Sequence, residues 1–183
     1  MKKIRFLSIL LLTAFLFGCA SGARMDGMVY TPSVPKTYDE ALKNQVGVKS
    51  VTGGQKTNPA WTSEISSESF SDAVKNSLSQ QGLLAEKGRY QLQVNMLKVD
   101  QPLFGLDLTV TTHVRYILTD TKDDAIVLDE TIVAPHTATI DDAFAAVKRL
   151  RLANEGSGKK NIEGLIDKLS KLKIKPQQVS VVN

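Results

Sequence analysis

The sequence predicts an α+β fold, a single two-layer domain whose mainly antiparallel sheet of about four strands carries helices on one face, in the order β-α-β-β-β-α. Three observations carry this. Between residues 90 and 134, apolar and polar residues alternate over three consecutive runs, the period of strands half-buried on one side. Residues 66–81 and 144–172 instead repeat apolar positions at three- and four-residue spacing, the period of helices with one buried stripe. The chain, at 183 residues, is also long enough to bury about two-thirds of its unfolded surface without disulfides or metal.

The first 18 residues stand apart from the fold. Lys2, Lys3 and Arg5 precede an apolar run from Phe6 to Phe17 broken only by Ser8 and Thr13, and small Gly18 then stands before Cys19. This is the layout of a secretory signal. The apolar run reaches only ~18 Å as a helix, short of a ~30 Å hydrocarbon layer, so residues 1–18 are expected to be removed. Leu16-Phe17-Gly18-Cys19 resembles a bacterial lipobox. The resemblance implies cleavage between Gly18 and Cys19, a diacylglyceryl group on the Cys19 thiol and acylation of the new amino terminus. The alternative is an ordinary cleavage site with a cysteine nearby. Cys19 is the only cysteine and has no partner within the chain, which favours lipid. Ala20 and Ser21 stand where inner-membrane retention would place aspartate, so the expected location is the periplasmic face of the outer membrane. Several acyl chains make such an anchor persistent.

Residues 19–44 carry Pro32, Pro35, two glycines and no regular period, and are expected to be the lipidated cysteine and a flexible tether. The periplasmic domain is expected over residues 45–175, with 176–183 a loose tail. A first strand at 45–51 uses Val46, Val48 and Val51 and ends at Gly53-Gly54. Asn58-Pro59-Ala60-Trp61 makes a turn, and Trp61 reads first as a packing residue and second as a recognition aromatic. A helix follows over 67–81, with Ser66 as N-cap, Glu68 in the first turn, Ile65 and Phe70 as a hydrophobic staple, and Gly82 as its stop.

Alternation then runs through Tyr90, Leu92, Val94 and Met96, resumes at Leu106 and continues to Leu118. A charged turn at 120–124 leads to a third run over 126–134, ended by Pro135. Leu103, Phe104 and Leu106 are either an exposed docking knob or a loop folded over the sheet edge. Thr139 or Asp141 can cap the last helical region, with Phe144, Val147 and Leu150 as one stripe and Ile162, Leu165, Ile166, Leu169 and Leu172 as a second. Gly156 and Gly158 are expected to break or kink it, since each weakens a helix by about 1 kcal/mol.

Charge is unevenly placed. Without residues 1–18 the chain has 20 basic and 19 acidic residues. Residues 19–147 are net −5 and residues 148–183 net +6. Nucleic acid is no partner for an exported chain, so the basic end is a solvated helix face or a contact for acidic lipid, cell wall or protein. Gly156-Ser157-Gly158-Lys159 fails the phosphate-loop pattern at Ala153 and Lys160, and no nucleophile elbow is present. His113 and His136 read as surface or rim residues, and no spacing suggests a metal site or a catalytic set. Arg149, Arg151, Asn154, Glu155 and Asn161 form the one remaining cluster. It reads first as a structural network in which Glu155 neutralises an arginine, and second as a grip for an anionic ligand.

The strand, helix, three strands and terminal helix resemble the small periplasmic α/β modules of envelope lipoproteins, including YajG, LpoB and the amino-terminal part of CsgG. Asn58-Pro59-Ala60-Trp61-Thr62-Ser63, Val114-Arg115-Tyr116, Asp142-Ala143-Phe144 and residues 149–156 are similar to an uncharacterised proteobacterial lipoprotein family. Some of its members are named acyltransferases, and the resemblance brings no catalytic residues with it. The function expected is a non-enzymatic outer-membrane lipoprotein that binds an envelope protein partner, with no cofactor beyond the lipid on Cys19. A small-ligand or lipid-binding module comes second and an acyltransferase-type enzyme third.

Overall fold

The computed structural model describes residues 20–59 and 62–174. Gly18, Cys19, Trp61 and the expected tail at 176–183 lie outside the described residues. The fold is α+β, with strands β1 (Val46–Thr52), β2 (Tyr90–Asp100), β3 (Leu108–Asp120) and β4 (Ala125–Ala138) in one sheet of order β1-β2-β3-β4. Helix α1 is a single turn at Met25–Met28, α2 spans Ser67–Gln80 and α3 spans Ala146–Lys171. β1 pairs parallel with β2 through the α2 crossover, whereas β2–β3 and β3–β4 are antiparallel.

The alternation sets the layers. Tyr90, Leu92, Val94 and Met96 of β2 and Val110, Val114, Tyr116 and Leu118 of β3 are buried under the helices. All but Val110 meet Phe70, Ala73, Val74 and Leu78 of α2 and Ile162, Leu165, Ile166 and Leu169 of α3 in one core, and Val110 packs with Ala138 and Ala153 in a smaller cluster. α2 begins as its residues dictate: the Ser66 side chain accepts the Ser69 N–H at 3.1 Å, Ile65 and Phe70 are buried together, and Gly82 takes the left-handed conformation (φ 66°) that releases the chain. Leu106 does not join β3; it is exposed. β4 runs through Pro135 to Ala138 rather than stopping, because β4 is an edge strand and a proline there need not break a ladder bond.

Three further expectations are corrected. Residues 20–44 pack on the domain from Ala20 onward instead of forming a tether. Ala23, Met28 and Leu42 are buried, the Tyr30 N–H reaches Ser77 Oγ at 3.0 Å, and Lys36 pairs with Asp167 at 2.8 Å. Burial also pushes the Tyr38 phenol up to about 12. The cause is covering of otherwise exposed core: α1 lies on α2 and α3.

The last helix, α3, is continuous through its glycines. Its glycines serve close approach. A Cβ at Gly156 would stand 2.0 Å from His136 Cδ2, one at Gly158 2.8 Å from Met28 Sδ, and one at Gly164 2.9 Å from Ile132 Cγ2. Packing of these bare faces offsets the propensity cost. The cap moves as well: Thr139 and Asp142 close a separate turn, with the Thr139 N–H to Asp142 Oδ2 at 2.7 Å, and Phe144 is exposed before α3 begins.

Candidate functional site

The cluster read from the sequence lies along α3, and the structure separates its members. Asn161 is fully buried, and its Nδ2 donates to the Thr112 carbonyl at 3.2 Å and the Ile132 carbonyl at 3.0 Å. Its Oδ1 accepts the Tyr116 hydroxyl at 2.8 Å. One turn earlier, Ser157 Oγ accepts the Thr112 N–H at 3.0 Å and donates to the Ala134 carbonyl at 2.7 Å, so it links paired residues of β3 and β4. Ser157 was not singled out by sequence; its only signal is a serine on the buried side of the stripe.

Asn154 Nδ2 donates to the Ser63 carbonyl at 2.9 Å, and its Oδ1 accepts from Gln101 Nε2 at 3.1 Å. Glu155 sits against Gly27, accepts the Arg24 N–H at 3.0 Å and faces Arg151 Nε at 3.4 Å. Arg151 Nη1 also reaches Ser21 Oγ at 3.0 Å. Residues 151–155 therefore bind the amino-terminal segment and residue 63 to the helix. Arg149 faces elsewhere: its buried guanidinium donates to the carbonyls of Ala143 (2.7 Å) and Phe144 (2.6 Å) and reaches that of Gly105 at 3.4 Å. It joins the β2–β3 loop to the loop before α3.

Two hollows open at that end. One, of about 500 Å³, is lined by Gln55, Thr62, Glu64, Val99, Gln101, Pro102, Leu103 and Leu150. The other, of about 270 Å³, lies between Phe104, Leu108, Ala146 and Val147 and shares Pro102, Leu103 and Leu150 with the first. Burial holds the Glu64 carboxyl above the usual carboxylate range, opposed by hydrogen bonds from Thr62 and from Gln101 Nε2 at 2.9 Å. Leu103 and Phe104 line these hollows, and Leu106 and Phe144, in the two loops that Arg149 joins, are exposed with them.

The sheet face opposite the helices is the second surface. It presents Gln91, Gln93 and Asn95 from β2, His113, Arg115 and Ile117 from β3, and Ile126, Asp129, Thr131 and Val133 from β4. Arg115 grips Asp129 through two bonds of 2.7 and 2.6 Å. The ammonium of Lys98 at 2.6 Å, and then His113 at 3.1 Å, hold the Asp100 carboxyl below its ordinary range. His136 instead lies against Gly156, where burial and then Lys160 lower its pKa. Among the described residues no three His, Cys, Asp or Glu side chains gather as metal ligands, and no helix is long and apolar enough to cross a membrane.

No protein-family model and no curated protein matches the sequence. Solved structures share the fold. A Xanthomonas campestris protein of family DUF330 is 15% identical, with 75% of this chain and 92% of that one covered and a TM-score of 0.50. A hypothetical protein from Chlamydia trachomatis is 11% identical, with 71% and 97% covered and a TM-score of 0.52. A Caulobacter crescentus structure described as a candidate lipoprotein is 16% identical, with 55% and 77% covered, at a TM-score of 0.43. These likenesses extend to the fold alone, and the last is too low to carry an argument. None of the three shows the narrower resemblance to YajG, LpoB or CsgG.

Proposed function

We propose that the chain is an envelope lipoprotein held at the outer membrane by acyl chains on Cys19, and that its domain binds a protein partner on the open sheet face. The observation that carries this reading is the makeup of that face. Ile126 (62% exposed) and Val133 (53% exposed) lie on either side of the Arg115–Asp129 pair along β4, with Ile117 next to that pair and His113 opposite Val133, so exposed apolar side chains alternate with charges already paired within the sheet. Four strands spaced ~4.8 Å apart and some ten residues long present roughly 600 Å², close to one partner's share of a standard interface. Residues 149–155, the other contact considered from sequence, spend their polar groups on internal bonds and rank below it.

Photo-crosslinking in living cells tests this, with the crosslinker at Ile117, Thr131 or Val133 of the full-length chain and at exposed Lys75 of α2 as the control. One dominant protein adduct confined to the sheet face is the expected result. Equal yields at Lys75, or no protein adduct from the sheet, would overturn it.

A second reading, a small-ligand or lipid-binding module, is favoured by the hollow of about 500 Å³ with its single acid, Glu64, which falls within the size range of ligand pockets. Native mass spectrometry showing a copurifying molecule lost on Leu150→Trp would raise it above the first. An enzyme ranks third: turnover of an acyl or glycan substrate, lost on His113→Ala, would reverse the order.

A further inference from the structure

We propose that the loop end of the domain is a second membrane contact, in which Leu103, Phe104, Leu106 and Phe144 enter the head-group layer of the bilayer that holds Cys19. This rests on the lipidation of Cys19 proposed above. The four side chains are 96%, 87%, 72% and 89% exposed. Large apolar side chains this bare are ordinarily scattered singly over a soluble surface; a group on adjacent loops marks a contact. Arg149 holds them adjacent, since one guanidinium reaches both the Phe144 and the Gly105 carbonyls.

Where the chain joins the domain decides what covers this end. Ala20, bonded to Cys19, donates its N–H to the Pro59 carbonyl at 2.8 Å, and Ser21 Oγ takes a bond from Arg151, the residue after Leu150 of both hollows. Asn58 bridges to Thr62, and Thr62 Oγ1 reaches Gln101, the residue before Pro102 and Leu103. The anchor therefore leaves from the apolar end. Because residues 20–44 are packed, the free chain between lipid and domain is about one residue, ~3.8 Å. That leaves no room for a protein layer, and a second copy would have to occupy the space the bilayer takes. The surrounding charge is mixed, with Lys148 beside Asp107, Asp141 and Asp142 all exposed, so adhesion is by apolar insertion and changes little with salt.

The test uses the full-length chain purified from membranes and placed in vesicles of phosphatidylethanolamine and phosphatidylglycerol. A benzophenone side chain replaces Phe104 or Phe144, with Thr131 on the sheet face as reference, and the mass of the peptide bearing Cys19 reports the anchor separately. Phospholipid adducts at 104 and 144 in about ten times the reference yield are expected. Lipid adducts with Cys19 unmodified would uphold this contact while the anchor falls. Acylated Cys19 with yields at 104 and 144 no higher than at 131 would overturn the contact while the anchor stands. Adducts to a second copy, or no lipid adduct with Cys19 unmodified, would also overturn it.

Discussion

Removing the Asn161 side chain tests how α3 is fastened to the sheet. Asn161→Ala leaves the Tyr116 hydroxyl, which donates to Asn161 at 2.8 Å, buried without that partner, at about 1–3 kcal/mol. It also strips a donor from the Thr112 and Ile132 carbonyls and opens a small void, so the total is about 3–4 kcal/mol. Against a typical stability of about 5–15 kcal/mol this is a large fraction, equivalent to roughly 8–14 °C in Tm. Urea unfolding of the single variants, and of Asn161→Ala combined with Tyr116→Phe, measures it. Tyr116→Phe alone should cost about 1 kcal/mol, and in the Asn161→Ala background nothing, a coupling of about 1 kcal/mol. Asn161→Asp adds a pH signature. A carboxyl buried there favours its neutral form, so its folded pKa lies above the unfolded value of about 3.9. The variant's penalty is then least below about pH 4 and grows as pH rises toward the folded pKa. An Asn161→Ala cost under about 1 kcal/mol, or an additive cycle, would refute the reasoning.

Two other outcomes follow from the packing and the charges. Gly158→Val should destabilise by about 1–3 kcal/mol in urea, because a Cβ there would stand 2.8 Å from the Sδ of fully buried Met28, and amide exchange at residues 25–28 should rise with it. Unchanged stability would mean that α1 does not seat on this glycine. Bonds from Arg89, and secondarily the Lys122 N–H, hold the Asp120 carboxyl below its usual range. The stabilisation is present above the unfolded value of about 3.9 and is lost as pH falls through the lowered folded pKa. Asp120→Asn should accordingly be less stable than the native chain at neutral pH, with the gap closing on acidification. A gap independent of pH would remove this assignment.

How much of the fold was legible varies by element. α2 was readable almost to the residue, since Ser66, Ile65, Phe70 and Gly82 are local signals whose partners lie within one or two turns. The strand faces were readable because a period of two places Leu92, Val114 and Tyr116 on one side whatever the neighbours are. At the candidate sites, residues 149–161 read in the sequence as one cluster, whereas the structure gives each member partners of its own. Arg149 and Asn161 lie twelve positions apart, about 18 Å along a helix, and their partners come from loops and strands far away in sequence. The exposure of Leu103, Phe104 and Leu106 was one of two open readings, and Phe144 had been placed in a buried stripe.

By itself the sequence determined the α+β class, the helix and strand periods, the capped α2 and the signal-like start, all properties of short windows of chain. Only the tertiary structure decided the rest. It made α3 one helix, because Gly156, Gly158 and Gly164 are each filled by a side chain from another element. It laid residues 20–44 on the domain, because Met28 and Leu42 find apolar surface that no local pattern announces. It paired β1 in parallel with β2, a choice made by the α2 crossover. A local pattern states what a residue can bury, but what it buries against is a matter of contacts between residues distant in the chain.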